Sequence, residues 1–190
     1  MEQSDLVNDL LSKQVQSCLK LIQEEAYVFD IPKLFLIYGK DGEFKTTAQG
    51  IVTGRPDVPL RFDDQQARER IIRALGKSAK SARKYTGLIC VFLWYGAFMV
   101  DNTVTDDQLQ EVGGIENHPD REEIIFIQGN DIKRHRCSAV LFVEREGQKV
   151  KLNAKPPSIF PYNAETPTDE KNLLDLFWEE FLKGQGFGLR

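Results

Sequence analysis

No stretch of this sequence is long and apolar enough to span a membrane as a helix. The longest uncharged apolar run, Leu88–Val100 (LICVFLWYGAFMV), has 13 residues, against the ~20 that a transmembrane helix needs. Cysteine is scarce. Cys18, Cys90 and Cys137 are three residues at no regular spacing, which excludes a disulfide framework and implies a reducing compartment. Histidine is scarcer still: neither His118 nor His135 has a serine, cysteine or threonine beside it in a nucleophile motif. There is no GxGxxG, no GxxxxGKS and no CxxC, so phosphate loops and zinc ribbons are excluded by pattern. The opening MEQSDLVNDL is acidic and polar, unlike a secretion leader. The expected location is cytoplasmic, with no membrane association and no cofactor.

What is present is an ordinary globular composition. The 190 residues are 41% hydrophobic and 28% charged, with net charge -4. A chain of this kind builds a core rather than staying disordered, and it is not a globally basic nucleic-acid binder. The length fits one domain. Residues 1–153 are expected to form an α+β domain, and 154–190 a proline-rich arm and a C-terminal helix packing on it.

Apolar residues at helical spacing from Leu6 to Ile22 predict an amphipathic helix over about Asp5–Glu25. Leu34–Tyr38, a Gly39–Gly42 turn containing Asp-Gly, and Phe44–Thr53 predict a hairpin. A second helix is predicted over about Asp64–Lys84, with Asp63 and Gln66 resembling a capping box. Gly76 inside it costs about 1 kcal/mol relative to alanine, which points to a close packing contact. Leu88–Val100 shows no alternation, as in a central strand buried on both faces; Gly96 suggests a bulge or bend. Asp101–Glu123 is polar and reads as a long loop.

A second hairpin pairs Ile124–Ile127 with Ala139–Val143 across Gly129-Asn130-Asp131, and Lys149–Leu152 alternates like an exposed edge strand. The segment 153–167, with four prolines, reads as an extended arm. The last helix is expected to be capped by Thr166, Pro167 and Asp169 and ended by Gly184. The expected order is α-β-β-α-β-β-β-α: a mainly antiparallel sheet of five to six strands covered by three helices. At the level of element order it resembles profilin-like and roadblock-type sandwiches, and topology of that kind does not fix function.

Three groups of residues are candidates for function. The second helix carries Arg68, Arg70, Arg73, Lys77, Lys80, Arg83 and Lys84 in 17 residues, against one Glu69. All but Arg68 fall opposite Ile71, Leu75 and Ala79 at about 100° per residue. With Arg134 and Arg136 of the second hairpin, this stripe (Arg70, Arg73, Lys77, Lys80, Arg83, Lys84) makes a candidate surface for nucleic acid or an acidic protein. A solvated helix face neutralised by acidic neighbours is the plainer reading. The segment His118–Glu123 holds metal-ligand types, and a metal-dependent hydrolase centred on Asp120 and Glu122 is one alternative; no known metal spacing matches. Pro119-Asp120 with Asp131-Ile132-Lys133 spells a nuclease-like pattern, but the two carboxylates would stand about 13–20 Å apart at 3.3 Å per residue of intervening strand. Finally, Trp94, Tyr95, Phe98 and Met99 suit a core, a ligand pocket or a subunit interface. Three helices leave part of a six-stranded sheet uncovered, which points to a homo-oligomer.

The stretch from the second helix through Trp94 and Met99 to HPDREEIIFI resembles proteins of bacteria and their phages that share a helix, an apolar Trp- and Met-containing strand and a Pro-Asp-Arg-x-Glu lead-in to the next strand. The resemblance covers roughly residues 60–145 and implies no activity and no site residue. A non-enzymatic binding or assembly module is therefore the expected function, with nucleic-acid association and metal-dependent hydrolysis as alternatives.

Overall fold

In a computed structural model of the chain, residues 3–23, 32–40, 43–50, 65–82, 87–133, 135–146, 149–154, 158–160 and 173–184 are described. They form an α+β fold. The elements run α1 (Gln3–Gln23), β1 (Lys33–Lys40), β2 (Glu43–Gly50), α2 (Gln65–Ala82), β3 (Leu88–Met99), α3 (Asp106–Glu111), a 3-10 turn (Ile115–Asn117), β4 (Glu122–Asp131), β5 (Arg136–Glu146), β6 (Lys149–Ala154), β7 (Ser158–Phe160) and α4 (Leu173–Leu182). The strands make one sheet in the order β2-β1-β3-β4-β5-β6, with β7 also paired to β5. Every pairing is antiparallel.

The periodicity of α1 decides what covers one face. Val7, Leu10, Leu11, Val15, Cys18 and Ile22 are buried, while Lys13, Gln16 and Ser17 are exposed. The buried stripe packs on Phe35, Ile37, Cys90, Phe92, Trp94, Ile125, Ile127, Cys137, Ala139 and Leu141. Phe35 and Trp94 lie ring on ring, with centroids 4.1 Å apart. The opposite face belongs to α2 and α4, whose Ile72, Ala79, Leu174, Leu176, Phe177, Trp178 and Phe181 join Leu34, Leu36, Leu88, Val91 and Leu93. Two helical layers thus sandwich β1 and the first half of β3, as the unalternating sequence of that half requires. Gly76 lets α2 and α4 touch: a Cβ there would press into the carbonyl oxygen of Phe177. Gly184 ends α4 with φ +86°, a left-handed conformation that glycine adopts without strain.

Several expectations need correction. Gly129, Asn130 and Asp131 end β4, and the chain turns from Ile132 and Lys133 onward. Gly96 is no bulge, because the β3–β4 register runs unbroken through Gly96↔Ile125; the irregularity sits between Ile37 and Tyr38, where β1 meets β3. The stretch after β3 is no plain loop. Thr105 and Gln108 form a capping box that starts α3, and the 3-10 turn follows. The arm after β6 contributes β7, which continues along β5 in line with β6. The expected Asp41-Gly42 turn, the Asp63 cap and the Thr166–Asp169 cap lie outside the described residues.

Candidate functional site

The basic stripe divides once its side chains are placed. Arg73 leans across to α4, where its guanidinium donates to Glu179 at 2.9 Å and Glu180 at 3.3 Å. The bond to Glu179 raises the pKa of Arg73 above its ordinary value, and the Lys183 ammonium beside Glu180 holds that carboxyl below its own. Arg136 pairs with Asp175 of α4 at 2.5 Å. Arg70 bonds the Gln66 carbonyl at 3.2 Å and is exposed, as is Lys77; Lys80 is half-buried. Arg83, Lys84 and Arg134 lie outside the described residues. Two of the predicted cations are therefore engaged by α4, whose Asp175, Glu179 and Glu180 the sequence reading did not connect with them. Their acidic spacing on the last helix was the available signal.

His118–Glu123 is a folded lead-in to β4. His118 is 8% exposed, and its Nδ1 accepts the Asp120 N–H at 3.2 Å. Its carbonyl accepts the Arg121 N–H and a guanidinium N–H of the same arginine. Asp120 and Glu122 are exposed. Among the described residues no three His, Cys, Asp or Glu side chains come together as a metal site. Asp120 precedes β4 and Asp131 ends it, so the nuclease-like pattern places its two carboxylates at opposite ends of one strand.

Two polar groups flank the β4–β5 turn, one on each face of the sheet. Asp131 is 2% exposed, and its two oxygens take the His135 backbone N–H at 2.8 Å and the His135 ring Nδ1 at 2.7 Å. Asn130 and Arg136 both hold Asp175, which ties the start of α4 to the sheet. These contacts close the turn and dock a helix. Burial pushes the thiols of Cys18 and Cys137 up to about 12, and that of Cys90 well above its ordinary value, so none is a ready nucleophile.

The remaining feature is the half of the sheet face that no described helix covers. Along β5, Cys137, Ala139 and Leu141 are buried under α1, whereas Ser138, Val140 and Phe142 are half-exposed. Along β3 the continuous burial stops at Trp94, and exposure alternates from Tyr95 to Met99. The register sets these positions in rows on the α2/α4 side: Tyr95 opposite Phe126 opposite Val140, and Ala97 opposite the buried Ile124 opposite Phe142, with Met99 beyond. Tyr95 and Phe126 meet edge to face at 5.6 Å. On the other side of the same sheet end, Phe98 is 40% exposed beneath the Arg121 guanidinium, 5.4 Å from its ring centre. Glu144 and Lys151 border the strip on the α2/α4 side, 3.7 Å apart, and Glu122 borders it opposite Met99.

Among the described residues no helix is long and apolar enough to cross a membrane. No family model, no curated protein and no solved structure matches this chain.

Proposed function

We propose that this chain is a non-enzymatic binding and assembly module whose contact surface is the open half of the β3–β4–β5 face. The observation that supports this most is the row of half-exposed Tyr95, Phe126, Val140, Phe142 and Met99 between a helix-covered half and a charged border. Aromatic residues and methionine are the types enriched in protein interfaces, and charge is depleted at interface centres. Isolated exposed apolar side chains need no explanation, but a contiguous strip does. The basic stripe offers less support for a phosphate partner, since Arg73 and Arg136 already face carboxylates of α4.

The test is photo-crosslinking in living cells. A benzophenone side chain at Val140 is expected to give a discrete protein adduct, identifiable by mass. The same group at Asp107, which is exposed on α3 and belongs to none of the strip's rows, gives none. If Val140 yields no adduct, or no more than Asp107, the face is not a docking surface and the proposal is wrong.

A further inference from the structure

At the β4–β5 turn an imidazole stands with one nitrogen held and the other bare. Asp131, 2% exposed, takes the His135 backbone N–H at 2.8 Å and the ring Nδ1 at 2.7 Å. The Asp131 N–H returns a bond to the His135 carbonyl at 3.2 Å, and the Ile132 N–H bonds the Ile89 carbonyl at 3.2 Å, so the backbone that carries the ring is pinned. A carboxylate only accepts, so Nδ1 carries the proton of the neutral imidazole and Nε2 its lone pair. Nε2 has no partner among the described residues, and the side chain is 37% exposed. His118 is the opposite case. Its Nδ1 accepts the Asp120 N–H, which puts the proton on Nε2, and it is 8% exposed.

We propose that His135 Nε2 is a phosphoryl acceptor, a role separate from the docking face, and that the donor is a phosphoramidate, a compound with a P–N bond. Imidazole is among the side chains that form covalent intermediates. Nε2 attacks phosphorus, the Nε2–P bond forms, and the P–N bond of the donor breaks. The electron pair of that bond leaves with the donor nitrogen, which is protonated in the zwitterion and departs as neutral ammonia. Nδ1 keeps its proton, so the ring becomes an imidazolium against the Asp131 carboxylate. That carboxylate already stands where positive charge develops, as preorganised stabilisation requires. Lys133 is exposed in the same turn and, unlike Arg136, makes no ion pair among the described residues; its ammonium is a point-charge partner for phosphate oxygens. One P–N bond replaces another, so the transfer is close to thermoneutral. A metal suits the same imidazole less well, because among the described residues no three His, Cys, Asp or Glu side chains converge.

Incubation of the full chain with potassium phosphoramidate, followed by phosphorus NMR and peptide mass mapping, tests this. The expected product is one phosphoryl group on His135, stable in alkali and lost in acid as P–N bonds are, with His118 unmodified. Its formation should outpace that on N-acetylhistidine by about tenfold or more, and Asp131→Asn should slow it by ~10–100-fold, the typical cost of losing a partner that orients an imidazole. Nitrogen NMR separates orientation from folding. The neutral ring should carry its proton on Nδ1 in wild type and on Nε2 in Asp131→Asn, because an amide can donate where the carboxylate accepts. Lys133→Glu, on an exposed side chain, should slow the reaction severalfold with the melting midpoint unchanged. Should Asp131→Asn fail to fold, the wild-type rate against N-acetylhistidine and the Lys133→Glu rate decide. The assignment is overturned if no P–N adduct forms, if it forms on another residue, or if His135 reacts no faster than N-acetylhistidine. A folded Asp131→Asn chain, or a Lys133→Glu chain, that reacts at the wild-type rate overturns it as well.

Discussion

Each of the three thiols is controlled by burial. Cys18 and Cys90 are wholly buried and Cys137 is 3% exposed. A thiol pushed up to about 12 from 9.0 carries about a thousandfold less thiolate at neutral pH, and the thiolate is the reacting species. Alkylation by iodoacetamide at pH 8 should therefore be negligible in the folded chain and complete within minutes in denaturant. Labelling of any of the three at comparable rates in both states would show that the α1 side of the sheet opens. The same scale explains a misreading. Gly129, Asn130 and Asp131 carry turn chemistry yet occupy a strand. A Cβ on Gly129 would collide with Phe92 and Cys137, Asn130 holds Asp175, and Asp131 closes the turn from below through His135. Gly129 and Asn130 answer to partners distant in sequence, which no local pattern reveals, while Asp131 answers to one four residues on.

Among the elements, the contact of α2 with α4 is the most exacting. Gly76→Ala would gain about 1 kcal/mol of helix propensity. The new methyl would meet the Phe177 backbone, which cannot swing aside as a side chain can, and overpacking of this kind costs about 1–3 kcal/mol. The cost wins, and the substitution is expected to lower the thermal midpoint by a few degrees, since 1 kcal/mol is worth about 2–4 °C at this chain length. An unchanged or higher midpoint by calorimetry would mean that the helices are not in contact there. The ion pairs beside this contact give it a pH dependence. The Glu180 carboxyl is held below its ordinary value of 4.5, first by Lys183 and then by Arg73. A lowered carboxylate stabilises the fold above its unfolded value, and that contribution is lost as the pH falls through the folded one. Wild type should accordingly melt above Glu180→Gln at pH 7, and the gap should close progressively below pH 4.5. A gap of constant size between pH 7 and pH 3 would rule out the ion pairs as its source.

For the whole molecule, cover is unevenly distributed. α1 closes one face over β1, β3, β4 and β5. On the other face α2 and α4 close over β1 and the first half of β3, and the start of α4 is held at Asn130 and Arg136. Among the described residues no helix covers the rows beyond. The docking prediction belongs to this scale, because it depends on how the described helices are arranged rather than on any one residue. Its mark is a crosslinked adduct at Val140 with none at exposed Asp107.

The chain's own pattern determined its α+β class, the amphipathic stripe of α1, the two-sided burial of the first half of β3, the close approach at Gly76 and the ending of α4 at Gly184. These follow from periodicity and backbone stereochemistry, which act between residues a few positions apart. Tertiary structure alone decided where the β4–β5 turn falls, which cations of α2 meet carboxylates, and which half of the sheet the described helices leave uncovered. Each of those depends on α4, which lies about 40 residues after the β4–β5 turn and about 100 after α2. Contacts across such distances are set by how whole elements stack, a choice that the residues of α2 or β4 cannot express by themselves.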